Sequence, residues 1–268
     1  MPSNIKIGVF DSGFGGLTVL KALLEIVPGA EYLYFGDTAR LPYGSKSAET
    51  VAKYACEAAQ FLQRQGVELL VVACNSATAL ALPQIREAVS IGVVGVIEPG
   101  AQQAAAASRN RKVVVIGTDA TISSHAYRDA LAKHQIDSCE KACPLLVPLV
   151  EEGWIDHTVA EQVAKVYLNE AFSDKFSSAD VLLLGCTHYP LLKPVLQRVV
   201  AAQVKLVDSA ESTALAVSKL VNGQTSELSQ STDKIKFFVT DSTEKFQRLG
   251  KIFLGGPMRD VTHIELKE

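Results

Sequence analysis

The sequence lacks long apolar runs and a start typical of secreted proteins. Its longest apolar stretches, residues 67–73 and 181–185, are far shorter than the roughly 20 residues that a membrane-spanning helix needs. Residues 1–6 have neither the charged region nor the apolar region of a secretory signal. These absences predict a cytoplasmic protein with no membrane partner.

A strong excess of charge is also missing. The net charge is −3, and the densest basic stretch is the short segment RNRK at residues 109–112. Nucleic-acid binding depends on a basic surface that neutralises phosphates, so we expect no nucleic-acid partner. An apolar content of 48% with 21% charged residues is typical of a compact enzyme, and 268 residues are enough for two moderate domains.

The cysteines are few and odd in number, which does not favour a disulfide framework. The five are Cys56, Cys74, Cys139, Cys143 and Cys186, and this count in a long chain favours free thiols in a reducing compartment. Cys56 is expected on the apolar face of a helix. Cys139 and Cys143 are expected in a loop, with a spacing that is poor for zinc and no complementary Cys/His pair nearby. We therefore expect no metal site.

Short aliphatic runs alternate with longer segments of helical periodicity along the chain. Strands are predicted at 5–10, 31–35, 69–73, 93–96, 113–117, 181–185, 205–207 and 235–239. Helices are predicted at 17–27, 47–65, 77–89, 101–107, 122–134, 159–171, 190–200 and 212–221. Most strands are continuous runs of Val, Ile and Leu, as expected for parallel strands buried on both faces. The predicted fold class is therefore α/β with parallel sheets.

Changes of composition near residues 98–100 and 207–209 predict a division into two domains. Residues 1–97 plus 207–268 would form a first α/β domain, made of the N-terminal half and a returning C-terminal segment. Residues 98–206 would form a second α/β domain between them.

Two short segments of the chain are similar to each other. Residues 68–76 (ELLVVACNS) and 180–188 (DVLLLGCTH) each contain an acidic residue, five aliphatic or small residues, a cysteine and two polar residues. Cys74 and Cys186 would thus lie at the carboxyl ends of two parallel strands, where α/β proteins bind ligands. A helix beginning there would lower the pKa of each thiol. One such cysteine could be a buried apolar residue, but two in matched positions favour a function.

A glycine-rich turn, residues 10–18 (FDSGFGGLT), follows the first predicted strand. It invites comparison with the dinucleotide fingerprint, because Asp37 follows the second strand where a ribose-binding acid would lie. The comparison fails because Thr18 replaces the third glycine and Asp11 would bring negative charge towards a pyrophosphate. We expect no nucleotide cofactor. Asp11 and Ser12 are instead expected at the crevice beside N–H groups suited to a small carboxylate, although Asp11 could simply cap the helix.

Four segments together resemble the glutamate racemase family, within the aspartate/glutamate racemase superfamily. They are residues 11–16 (DSGFGG), 43–45 (YGS), 73–77 (ACNSA) and 185–191 (GCTHYPL), in the order of the family. The resemblance implies two pseudo-symmetric parallel-sheet α/β domains with the active site in the cleft between them. It also implies interconversion of L- and D-glutamate without a cofactor, use of D-glutamate in peptidoglycan biosynthesis, and a homodimer.

The resemblance also assigns roles to residues. Cys74 and Cys186 would be the two opposed bases, with Asp11 assisting Cys74, His188 assisting Cys186, and Glu152, or its neighbour Glu151, as a further helper. Relatives usually have Thr where this chain has Ser76, so a hydroxyl is kept and a methyl is lost. The expected substrate-binding residues are Asp11, Ser12, Pro42, Tyr43, Gly44, Asn75, Ser76, Thr118, Thr121, Thr187 and His188.

The sequence alone leaves three alternative functions open. An aspartate racemase would share the paired cysteines. A thiol hydrolase or amidase could use Cys186 with His188, and a non-catalytic protein could bind an amino acid without reacting with it. The matched second cysteine argues against the last two, because neither of them needs it.

Overall fold

The computed structural model describes residues 5–221, 235–256 and 258–266, which form two parallel β-sheets packed with helices. The strands are β1 (Lys6–Asp11), β2 (Glu31–Gly36), β3 (Leu69–Val72), β4 (Gly92–Gly95), β5 (Lys112–Gly117), β6 (Asp137–Ala142), β7 (Val181–Gly185), β8 (Lys205–Asp208), β9 (Ile235–Val239) and β10 (Val261–His263). The helices are α1 (Leu17–Ile26), α2 (Ala48–Arg64), α3 (Asn75–Ala88), α4 (Ile97–Ala107), α5 (Asp119–Ser123), α6 (Ala126–Ala132), α7 (Leu146–Glu151), α8 (Thr158–Ala171), α9 (Lys193–Val199), α10 (Ser209–Leu220) and α11 (Thr243–Leu254).

Every strand pair in both sheets is parallel. The first sheet has six strands in the order β10-β9-β2-β1-β3-β4, and the second has four in the order β6-β5-β7-β8. The central strands β1, β3, β5 and β7 are almost wholly buried, because helices cover both faces of each sheet. The predicted α/β class with two parallel-sheet units is confirmed.

The carboxyl ends of the central strands carry the polar residues of interest. Asp11 ends β1, and Cys74 follows β3 by two residues in the first sheet. Thr118 follows β5 and Cys186 follows β7 in the second. Because parallel strands end at one edge of their sheet, each sheet presents these side chains on a single edge.

The chain leaves the first sheet after β4 and returns to it with β9. The predicted boundary at residue 98 falls one residue inside α4, which packs on α6, β7 and β8 of the second sheet. Helix α10 packs on α1 as well as α4. The division into residues 1–97 plus 207–268 and residues 98–206 therefore stays a prediction. It describes a chain that leaves the first sheet and later returns to it, which is the path seen here.

Two strands and two helices were not predicted from the sequence. β6 (DSCEKA) and β10 (VTH) are edge strands without an aliphatic run, α7 (LVPLVE) contains a proline, and α11 follows the last predicted strand. The expected loop position of Cys139 is wrong, because this residue lies within β6 and Cys143 follows the strand directly. The predicted helix 122–134 is interrupted at His125, which has a positive φ of 57°. Within the part of the chain that the structure describes, no helix has the length and apolarity to span a membrane.

Candidate active site

A cavity of about 280 Å³ lies where the carboxyl edges of the two sheets meet. A volume of this size suits a small ligand. Eleven of the residues expected at the site line it: Ser12, Pro42, Tyr43, Gly44, Cys74, Asn75, Ser76, Thr118, Cys186, Thr187 and His188. The two cysteines enter it from different sheets, Cys74 after β3 and Cys186 after β7.

Cys74 occupies the N-cap of α3. Its Sγ accepts a hydrogen bond from the Ala77 N–H at 3.4 Å and donates one to Ser12 Oγ at 3.5 Å. Burial raises the pKa of this thiol to about 12, the negative charge of Asp11 adds to the rise, and the hydrogen bonds offset only part of it. The helix N-terminus lowers the pKa of Cys74, as expected, through the Ala77 N–H, but removal from water outweighs this effect and the net shift is upward. The raised pKa favours the protonated thiol.

Asp11 lies behind the cavity wall and does not line the cavity. Its Oδ2 accepts a hydrogen bond from the Gly13 N–H at 2.9 Å, which fixes the tight turn after β1. Burial raises the pKa of Asp11, and the positive charge of His188 and nearby backbone N–H groups oppose that rise. The carboxyl thus acts on Cys74 through its charge, and on Ser12 by holding the turn.

Three hydroxyl groups connect the two sheets beside Cys74. Ser76 Oγ lies 2.9 Å from Thr118 Oγ1 and 3.4 Å from Thr121 Oγ1, and the two threonine oxygens are 3.0 Å apart. Thr121 is fully buried and does not line the cavity, so it orients Ser76 and Thr118 from behind. Neighbouring Asn75 accepts a hydrogen bond from Tyr127 Oη at 2.6 Å through Oδ1, and its buried Nδ2 has no partner among the described residues.

Cys186 has a different environment from Cys74. A 3₁₀ turn, Tyr189–Leu192, follows it, and α9 begins only at Lys193, so the expected helix N-terminus is not beside this sulfur. His188 takes that place instead, with Nδ1 4.0 Å from Cys186 Sγ and Nε2 3.1 Å from Glu151 Oε1. The residues form a line of thiol, imidazole and carboxylate.

The electrostatics of this line favour a charged imidazole. Burial alone would lower the pKa of His188, but the hydrogen bonds and negative charges of Cys186 and Glu151 raise it to about 10. Burial of Glu151 works against its ionisation, yet His188, with help from the charge of Lys245, lowers the pKa of Glu151. Phe253 packs edge-on against the imidazole, with ring centroids 5.0 Å apart, and keeps that face apolar. An imidazolium beside Cys186 stabilises negative charge on the sulfur.

The structure distinguishes the two neighbouring glutamates. Glu151 is the last residue of α7, lines the cavity and contacts His188, whereas Glu152 caps the helix, is exposed and lies outside the cavity. Of the two, Glu151 is therefore the one placed to act through His188. The wall contains further residues that were not expected to bind substrate: Gly13, Phe14, Leu41, Ser45, Asp119, Pro144, Val147 and Pro148. Gly13, Phe14 and Ser45 lie within the quoted motifs, whereas the other five lie outside those motifs.

The arrangement suits proton transfer on both sides of one small molecule. A thiol and a thiol paired with imidazole open on the same cavity from two sheets, and both are largely shielded from water. Hydroxyl and amide groups between them can hold polar ends of a ligand.

Comparisons with known proteins agree on one family. The family model for the Asp/Glu/Hydantoin racemase family matches residues 7–217. The glutamate racemase of Koribacter versatilis is 55% identical, with 97% of each chain covered. The crystal structure of glutamate racemase from Thermus thermophilus in complex with beta-chloro-D-alanine has a TM-score of 0.87, with 45% identity and 98% of each chain covered. That of glutamate racemase from Francisella tularensis in complex with D-glutamate has a TM-score of 0.89, with 37% identity and the same 98% of each chain covered.

Proposed function

The chain belongs to the Asp/Glu/Hydantoin racemase family, and on this premise we propose that it interconverts L-glutamate and D-glutamate, the reaction of an isomerase. The observation that carries the proposal is the entry of Cys74 and Cys186 into one cavity from two different sheets. Inversion at Cα requires that a proton leave one face of the carbon and another arrive on the opposite face. Two groups on opposite sides of one substrate meet that requirement.

In the proposed reaction the two thiols exchange roles. L-glutamate binds while Cys186 is a thiolate held by the His188 imidazolium and Cys74 is a thiol. Cys186 takes the Cα proton, and Cys74 gives its proton to the opposite face, which leaves D-glutamate, a protonated Cys186 and a deprotonated Cys74. The reverse reaction starts from that second state. The high pKa of Cys74 and the imidazole 4.0 Å from Cys186 Sγ support a resting protein in which Cys74 carries its proton.

Charge that develops on the substrate during proton removal must be stabilised by groups already in place. We assign this work, without a cofactor, to donors that line the cavity. Asn75 Nδ2, which lacks a partner among the described residues, would donate to a substrate carboxylate. Further donors are the hydroxyls of Ser12, Ser76, Thr118 and Thr187 and the backbone N–H of Gly44. Asp11 and Glu151 act behind the cysteines, through Cys74 and His188 respectively.

The biological setting follows from the resemblance. D-glutamate made in the cytoplasm would serve peptidoglycan synthesis, and the active molecule would be a homodimer. Sedimentation of the purified protein tests the dimer directly.

Incubation with L-glutamate, with no additive, tests the reaction. Loss of the circular dichroism of L-glutamate towards a racemic mixture is expected, while L-aspartate incubated in the same way should keep its signal. Racemisation of aspartate but not of glutamate would overturn the substrate assignment.

Serine replacements test the two-cysteine mechanism. Cys74→Ser should abolish racemisation but still wash solvent deuterium into Cα of L-glutamate, because Cys186 remains. Cys186→Ser should wash deuterium only into D-glutamate. Cys56→Ser, in a half-buried position on α2, is the matched control and should keep full activity. Full racemase activity in either active-site variant would exclude the mechanism.

A further inference from the structure

Asp37 is a fully buried acid that the proposed mechanism does not use. It follows β2 directly, does not line the cavity, and has a hydrogen bond on each carboxyl oxygen. Tyr43 Oη donates to Oδ2 at 2.5 Å, and Thr240 Oγ1 donates to Oδ1 at 2.9 Å. Burial raises the pKa of Asp37, and these two bonds and the charge of Arg40 offset only part of the rise. The carboxyl therefore joins two segments that are distant in sequence.

The sheet itself places Thr240 beside Asp37. β9 pairs with β2 in a register that sets Val239 against Gly36, so the next residue of each strand comes out at the same edge. The Thr240 N–H donates to the Gly36 carbonyl at 3.3 Å, and its Oγ1 accepts from the Ala39 N–H at 3.0 Å. One hydroxyl thus donates to Asp37 and accepts from Ala39, which ties residues 37–39 to the returning C-terminal segment.

Tyr43 carries this constraint to the cavity. Tyr43 lines the cavity, but its hydroxyl is bonded to Asp37 and is not a free phenol for a ligand. The next residue, Gly44, lies so close to the second sheet that a methyl group there would be 2.9 Å from Thr118 Cβ. Residues 41–45, which we call the 41–45 wall, all line the cavity and extend across it from the first sheet towards Thr118.

We propose that Thr240 and Asp37 are positioning residues that hold the 41–45 wall in place for substrate binding. The inference rests on the proposed function, and it gives residue 240, beyond the matched region 7–217, a part in the active site. Cys74 and Cys186 are held by other elements, β3 with α3 and β7 with the 3₁₀ turn after it. Loosening the 41–45 wall should therefore weaken glutamate binding more than it slows proton transfer.

The test compares three variants of the intact protein. Thr240→Val removes the hydroxyl and keeps the shape of the side chain. It should raise KM for both enantiomers about tenfold, as expected for the loss of one hydrogen bond to a charged group. Its kcat should stay within about threefold of the wild-type value. Thr240→Ser restores the hydroxyl and should restore KM. Tyr43→Phe removes the other bond to Asp37 and should resemble Thr240→Val.

A control and a second measurement separate positioning from loss of fold. Thr213→Val removes a threonine hydroxyl that is more deeply buried than that of the half-buried Thr240. This hydroxyl is bonded to the Ser209 carbonyl on α10, and its loss should leave KM unchanged. Hydrogen–deuterium exchange of the peptide covering residues 38–46 should quicken in Thr240→Val but not in Thr240→Ser or Thr213→Val.

The outcomes separate this inference from the proposed function. A wild-type protein inactive on glutamate would reject the proposed function, whereas the exchange measurement would still test the wall. Unchanged KM and unchanged exchange in a folded Thr240→Val protein would overturn the inference. A fall in kcat with KM unchanged would also overturn it.

Discussion

Replacing Glu151 by glutamine removes the carboxylate that lies 3.1 Å from Nε2 of His188. Glutamine keeps the size of the side chain and can still accept a hydrogen bond, so the main change is the loss of a negative charge. Against the opposing effect of burial, hydrogen bonds to Cys186 and Glu151, together with the negative charges of both, raise the pKa of His188 from 6.5 to about 10. We therefore expect Glu151→Gln to lower the pKa of His188.

The structure sets the size of the change. A hydrogen bond to a charged group contributes about 1.5–3 kcal/mol, and one pKa unit corresponds to about 1.4 kcal/mol. The Glu151 side chain is 26% exposed, which places the effect in the lower part of that range because solvent screens the charge. The pKa of His188 should fall by about one unit, with Cys186 accounting for the rest of its elevation.

The alkaline limb of the pH profile of kcat/KM measures this shift. Loss of the His188 proton removes the positive charge that holds Cys186 as a thiolate, so the limb should move to lower pH by about one unit in Glu151→Gln. The two enantiomers have equal free energies, so kcat/KM must be equal in the two directions at every pH. A difference between the two cysteines would instead appear in the kinetic isotope effects measured with α-deuterated L- and D-glutamate. In Glu151→Gln the isotope effect for L-glutamate should be larger than in the wild-type protein.

Glu152→Gln is the matched control, because it makes the same chemical change one residue away on an exposed side chain. It should leave the pH profile unchanged. Titration of the His188 imidazole by NMR, assigned with His188→Asn, checks the pKa without relying on catalysis. An equal shift in Glu152→Gln, or none in a folded Glu151→Gln protein, would refute the assignment of Glu151 as the partner of His188.

Two further changes test other parts of the site. Because the pKa of His188 is raised from 6.5 to about 10 on folding, its stabilisation is complete below pH 6.5 and is lost as pH rises towards 10. Urea unfolding should show a decrease over that range, at most roughly 5 kcal/mol, that His188→Asn lacks; parallel curves for the two proteins would contradict it. Gly15→Ala would place a methyl against Thr187 Oγ1 and 2.5 Å from His188 Nδ1, and should reduce kcat/KM at least tenfold. Gly256→Ala, where the added methyl has no atom of the described residues within 4 Å, should have no effect on kcat/KM.

The sequence predicted the central strands well because their signal is local. Continuous aliphatic runs of the kind at Val181–Gly185 have few stable alternatives to a strand buried on both faces. The edge strand β6 has polar residues at four of its six positions, and α7 contains Pro148, so neither shows a clear period. Those elements form because they pack against the rest of the fold, and the local sequence pattern does not show this packing.

The positions of the cysteines could also be predicted, but their environments could not. A residue just after a parallel strand must lie at the carboxyl edge, which places Cys74 and Cys186 near a crevice. The local pattern predicted a helix N-terminus beside both sulfurs. At Cys186 the chain instead turns through a 3₁₀ segment, and His188 is the neighbouring group.

The sequence by itself determined the parallel α/β class, the turn residues at the strand ends and, through motif resemblance, the family. All three depend on residues close together in the chain. Only the tertiary structure showed that Glu151, and not Glu152, contacts His188, because adjacent helical residues point in different directions and the packing of α7 sets which one faces the imidazole. It also brought Thr240 to Asp37, a contact across 203 positions that depends on the pairing of β9 with β2.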